Sequence, residues 1–160
     1  MQLKETQSMK GHFKIFTREV GTTEWIKRVD KDNLILDVGR QFIKLIFSGQ
    51  STDYIQSFAL GTSPVPPVVG NTGLGNAVPY SGSNIYKAFE EYTNDTTMSI
   101  TFVGYLSSLE PVTQPVDITE VGLFTGLGAT AGTCYCRATF DAITKTNALE
   151  LRLEYQITFA

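Results

Sequence analysis

Apolar residues occupy every second position at the end of this chain: Leu149, Leu151, Leu153, Tyr155, Ile157 and Phe159. Glu150, Arg152, Glu154, Gln156 and Thr158 fill the places between them. A period of two sends alternate side chains to opposite faces of a pleated strand. The pattern predicts a long antiparallel strand, apolar on one face and wet on the other. Full burial of one such side chain contributes about 1.5–3 kcal/mol before entropy is counted. Other strands must therefore cover that face.

The same reading places those strands. Residues 12–20 carry Phe13 and Ile15 on one face, and Gly21-Thr22-Thr23 turns the chain. Trp25, Lys27 and Val29 form the return, so residues 12–29 predict a β-hairpin. The period then changes. Leu34, Val38, Phe42, Ile43, Leu45 and Ile46 suit a helix over residues 37–48, capped by Asp37 and ended by Gly49. Strands follow at residues 54–60, with Phe58 and Leu60 inward, and at 85–92, 97–106, 118–124 and 133–140. In the third of these, Met98, Ile100, Phe102 and Leu106 share a face opposite Thr97, and Gly104 marks a bulge. In the last, Cys134, Cys136, Ala138 and Phe140 turn inward while Tyr135 and Arg137 turn outward. Residues 141–147 form a turn. The expected fold is mainly β: an antiparallel, jelly-roll-like β-sandwich of seven or eight strands with one short helix. Residues 1–160 read as a single domain, with 1–32 a peripheral N-terminal arm and hairpin.

Residues 61–76 break every period. Three prolines and four glycines in sixteen residues leave no room for a regular element. A loop this long inside a compact domain is usually functional or disordered. Val65, Val68, Val69 and Leu74 give it apolar matter to pack. It lacks the Lys-Ser/Thr ending of a phosphate-cradling loop and opens no helix.

Composition narrows the function classes. The net charge is −3, so no basic surplus exists to neutralise phosphates, and no nucleic-acid partner is expected. No apolar run approaches the roughly 18–20 residues that span a bilayer, and no hydrophobic region follows Met1. We expect neither a membrane partner nor a secretory signal. Cys134 and Cys136, the only cysteines, read as small buried residues. With one histidine in the chain, Cys-x-Cys is a poor start for a zinc site, so no metal or cofactor is expected.

Catalytic constellations are also thin. A Ser-His-Asp triad would need His12, and no Gly-x-Ser-x-Gly elbow accompanies it. Glu90 with Glu91, or Asp117 with Glu120, could divide acid and base roles. Neighbouring Glu90 and Glu91 face opposite ways on a strand, however. Glu120 interrupts an apolar stretch, which predicts an ion pair with Arg137 or Lys145. Tyr80, Tyr86, Tyr92 and Tyr105 could make a sugar platform, but such tyrosines also serve as core or interface residues.

Several segments together resemble the small β-rich virion proteins of tailed bacteriophages. They are Asn33-Leu-Ile-Leu-Asp-Val-Gly-Arg before the helix, Ile55-Gln-Ser-Phe-Ala-Leu-Gly-Thr-Ser, and Asn71-Thr-Gly-Leu after the proline-rich loop. Asp117-Ile-Thr-Glu-Val-Gly-Leu-Phe and Cys136-Arg-Ala-Thr-Phe complete the set. The likeness spans residues 33–159. It implies a non-enzymatic structural role in a virion, as a capsid decoration protein or a tail, neck or fibre component. The fibre role would make it a receptor- or glycan-binding module. It also implies capsid or tail partners, and self-assembly follows naturally, a trimer being one form. The expected subunit contacts are Phe13, Ile15 and Trp25 in the hairpin and Pro64, Val65, Pro66, Pro67, Val68 and Val69 in the loop.

Overall fold

The computed structural model describes residues 8–96 and 98–159. The expected arm at residues 1–7 and the placement of Thr97 lie outside the described residues. Two five-stranded antiparallel sheets face each other as a β-sandwich. In chain order come β1 (Met9–Glu19), β2 (Ile26–Asp32), β3 (Leu34–Ile35), α1 (Asp37–Phe47), β4 (Ser57–Gly61) and β5 (Lys87–Ala88). There follow β6 (Glu91–Thr96), β7 (Ser99–Leu106), β8 (Val116–Phe124), β9 (Cys134–Lys145) and β10 (Leu149–Phe159). The first sheet runs β2-β1-β10-β7-β6 and the second β3-β9-β8-β4-β5.

The terminal alternation becomes β10, the central strand of the first sheet. Leu151 and Leu153 are fully buried, and Tyr155 and Ile157 nearly so. They meet Phe58, Leu60, Val121, Leu123 and Ala138 of the second sheet in one core. Two corners carry the chain between the sheets. The Asn33 amide still donates to Gly11 of the first sheet at 3.1 Å, whereas the Leu36 amide donates to Tyr135 of the second at 3.1 Å. At the other corner the Phe89 amide donates to Gln56 and the Glu90 amide to Val103, both across to different sheets. The stretch 85–92 is thus divided between two sheets, because its neighbours change at Phe89.

The N-terminal hairpin is not peripheral, which corrects the expected division of the chain. β1 pairs with β10 from Met9↔Phe159 to Glu19↔Leu149 and with β2 on its other side. Phe13 and Ile15 are fully buried in the core, so these two are not subunit contacts. Burial against β10 outweighs any gain from an outer partner, because their face is the inner one.

Other details differ for local reasons. The helix begins with Leu36 as its N-cap and no side-chain cap, and Asp37 instead holds Arg40 at 3.2 Å. Gly49 ends it at φ 68°, a left-handed conformation that glycine adopts without strain. Gly104 sits in an unbroken register with Leu153, so it marks no bulge. A Cβ there would collide with the ring of Phe58 from the opposite sheet. The 141–147 turn shrinks to three residues, because β9 runs on to Lys145.

The largest correction concerns the two β9 residues expected to face outward. Tyr135 is fully buried and Arg137 is 3% exposed. Tyr135 turns inward with Cys136 into the sandwich core, while its carbonyl lies against Gly39 of α1. Arg137 keeps the outer face, where the 61–76 loop covers it. The two cysteines also part company. Leu123 pairs with Cys136 but Phe124 with Cys134, so Tyr135 is one extra residue in β9. Cys136 therefore joins the sandwich core, and Cys134 joins a second cluster with Leu36, Ala59 and Phe124 under the loop. Both thiols are free.

Candidate functional site

The loop after β4 is held by one buried ion pair. Glu120 on β8 is fully buried and Arg137 on β9 is its partner at 2.8 Å. The strands place them side by side, because the β8–β9 register sets Glu120 one pair from Val121↔Ala138. An ion taken from water survives burial only when its remaining valences are filled, and the loop fills them. Glu120 Oε1 accepts the Asn76 amide at 2.8 Å and the Ser63 amide at 3.2 Å. Its Oε2 accepts the Gly75 amide at 2.9 Å. Arg137 donates Nη1–H to Asn71 Oδ1 and Nη2–H to the Val65 carbonyl, each at 3.0 Å. Asn71 Oδ1 in turn accepts the Val68 amide at 2.9 Å. The Asp37 amide, at the first turn of α1, donates to the Val69 carbonyl at 2.9 Å. Gly61 is required beneath this clamp, since any Cβ there would strike the Glu120 side chain.

This clamp leaves the loop apex outside. Val65 is 63% exposed, Val68 59% and Val69 44%. Pro64 and Pro66 are exposed and Pro67 is half-buried. No charged residue lies between Thr62 and Asn76. The structure thus brings the six loop residues of the expected contact set to one apolar protrusion. Trp25 lies elsewhere, half-buried on the outer face of the first sheet. The guanidinium groups of Arg18 and Arg152 sit over its ring at 4.3 and 5.0 Å.

A second surface has no counterpart in the sequence reading. The sandwich is open at the end where α1, β6 and the tip of β10 approach. A groove of about 550 Å³ lies there, walled by Phe42, Ile46, Tyr54, Phe89, Tyr92 and Phe102 among others. Tyr54 and Tyr92 stand 63% and 70% exposed on its rim. Phe159 joins it to a neighbouring depression of about 620 Å³ that Phe47 and Met98 also line. Among the residues lining the 550 Å³ groove none is charged. The one local signal was the helix, whose Phe42, Ile43, Ile46 and Phe47 make an apolar stripe too wide for a single covered face.

The other candidates do not converge. His12 lies between two carboxylates, with Nε2 2.5 Å from Asp30 and Nδ1 2.6 Å from Asp32. The Asp32 hydrogen bond raises its pKa most, against some desolvation, and Asp30 adds to the rise. Asp30 is held at about 2, chiefly by Lys27 and then by His12. Both imidazole nitrogens are thus engaged by acids, and no serine hydroxyl partners them among the described residues. Asp117 accepts the Thr144 hydroxyl at 2.6 Å, so it and Glu120 serve different partners. Glu91 accepts the Tyr105 hydroxyl at 3.1 Å. The four tyrosines are dispersed: Tyr86 stacks on Phe124 at 4.7 Å, Tyr105 on Trp25 at 6.1 Å, Tyr80 packs on the core, and Tyr92 rims the groove. Among the described residues no group of His, Cys, Asp or Glu is placed to hold a metal ion.

These features define a class by fold and surface: an antiparallel β-sandwich with an ion-paired loop on one sheet and an aromatic groove at one end. No protein-family model, curated protein or solved structure matches this chain.

Proposed function

We propose that this chain is a non-enzymatic structural protein of a tailed-phage virion, and in the first place a capsid decoration protein that self-associates and stabilises the particle. The observation that carries the reading is the loop apex. An uncharged apolar protrusion is expensive to leave in water and is fixed here by a buried ion pair. Rigid exposed apolar surface of this kind suits permanent contact with another protein, because little ordering entropy remains to be lost on binding. The resemblance of residues 33–159 to virion proteins supplies the setting. The sandwich provides a stiff body, and many identical copies can then tile a particle.

Copy number in purified virions, measured against the major capsid protein by quantitative mass spectrometry, tests this. Hundreds of copies per particle are expected of a decoration protein. A dozen or fewer would move the chain to the tail, neck or fibre. The exposed rings of Tyr54 and Tyr92 favour that second reading, as a receptor- or glycan-binding module. Absence from particles would overturn both.

A further inference from the structure

Gly11 leaves a gap inside the sandwich that two polar side chains share. A Cβ there would fall 1.9 Å from the Tyr155 hydroxyl oxygen and 2.1 Å from Asn33 Oδ1. Tyr155 pairs with Phe13, two residues along β1 from Gly11, so its side chain lies on the inner face. Asn33 follows β2 at the corner where the chain leaves the first sheet, its amide still bound to Gly11 at 3.1 Å. Beside them is a cavity with about 10 Å³ open to the centre of a water-sized sphere. Asn33 and Tyr155 line it from the first sheet and its corner, and Cys136 lines it from the second.

The polar atoms at this place lack partners. Tyr155 is 2% exposed. Its hydroxyl, Asn33 Oδ1 and Asn33 Nδ2 are sealed from solvent, and none makes a hydrogen bond among the described residues. The Cys136 thiol stands beside the Tyr155 hydroxyl, but a thiol is a weak partner. Buried polar atoms of native proteins are almost always paired, with protein or with ordered water. Three unpaired atoms around one space therefore point to a common partner.

The size and lining of the space identify it. A water needs roughly 10–15 Å³ of such space and makes about three hydrogen bonds. Asn33 Nδ2–H can donate to it, while Asn33 Oδ1 and the Tyr155 oxygen can accept from it. A larger ligand has no room. No lining residue is charged, so a bare ion would go uncompensated.

We propose that one water molecule is built into the core here, held by the Asn33 side-chain amide and the Tyr155 hydroxyl. It ties the corner at Asn33 to the central strand β10, at the point where the chain crosses between the sheets. The site stands whether or not the protein belongs to a virion.

A high-resolution crystal structure of the full chain tests this first. An ordered water is expected within about 2.7–3.2 Å of the Tyr155 oxygen and of an Asn33 side-chain atom. A dry cavity would overturn the proposal. So would a direct hydrogen bond between Asn33 and Tyr155 that closes the space. Water magnetic relaxation dispersion gives a second readout, because it counts the long-lived waters that a protein holds in solution. Asn33→Leu with Tyr155→Phe keeps most of the bulk and removes all three polar atoms. A small apolar cavity stays dry, so this double variant, verified as folded by circular dichroism, should hold one long-lived water fewer than the parent. An unchanged count would overturn the proposal. The parent crystal structure decides the question even where the double variant fails to fold.

Discussion

Glu120 and Arg137 meet at 2.8 Å across neighbouring strands, and each also holds the loop that seals them from water. The pair and the loop are therefore one cooperative unit. Removing one member leaves the other as a buried charge, at a cost of about 3–5 kcal/mol. We predict that loss for Glu120→Ala in urea denaturation, with faster amide exchange at Ser63, Gly75 and Asn76. The double replacement Glu120→Leu with Arg137→Met should cost less than the sum of the single changes. A loss below about 1 kcal/mol for Glu120→Ala would contradict the clamp.

Gly104 gives a sharper packing test. A methyl group there meets the Phe58 ring, which is itself enclosed by Phe89 at 5.4 Å between ring centroids. Overfilling such a core costs about 1–3 kcal/mol. Gly104→Ala should lower the melting temperature, and adding Phe58→Leu should recover part of the loss. A melting temperature equal to that of the parent would show that the two sheets separate easily at this point.

The cysteines should be inert in the folded protein. Burial pushes the Cys136 thiol up to about 12 and raises Cys134 as well. Only the thiolate attacks disulfide reagents at a useful rate. Ellman's reagent at pH 8 should find no thiol in native protein and two after unfolding. Rapid labelling before unfolding would show that the loop covering Cys134 opens.

Lys145 sets a pH dependence. Its side chain is fully buried, and Nζ donates to the Thr146 carbonyl at 3.0 Å without a carboxylate partner at contact distance among the described residues. Desolvation lowers its pKa from 10.5 to about 8, against the weaker pull of Glu110 and Glu150. Between these two values the unfolded chain binds more protons than the folded one, so stability attributable to Lys145 rises with pH. Below about 8 the full cost of the buried charge is present. Lys145→Met should therefore be about 1 kcal/mol more stable at pH 7. Its advantage should shrink as pH approaches 10.5. An advantage that grows with pH would reverse the assignment.

The sequence made some of this visible and hid the rest for physical reasons. Strict alternation identified β10, because its partners cover one face only. Glu120 stood out as an acid among apolar neighbours, which led to Arg137 as one of two partners. The burial of Tyr135 and Arg137 was not readable. Alternation separates two faces of a strand but does not tell whether the second is covered, and over Arg137 an aperiodic loop covers it. Tyr135 is instead turned into the core by the irregular β8–β9 register. One extra residue at Tyr135 then reversed the face of Cys134, a change that no local pattern announces. The groove was invisible because its walls come from residues as far apart as Phe42 and Phe159. Phe13 and Ile15 looked available for a partner only while β1 was taken for an edge.

The clamp on the loop reads main chain far more than side chain. Glu120 takes the amides of Ser63, Gly75 and Asn76, Arg137 takes the Val65 carbonyl, and Asn71 is the one loop side chain it grips. Positions 65, 66, 68 and 69 can thus be rewritten while their scaffold stays intact. The sandwich is in effect a display frame, with a variable tip mounted on an invariant bracket, and new specificities can be grafted there without redesigning the fold.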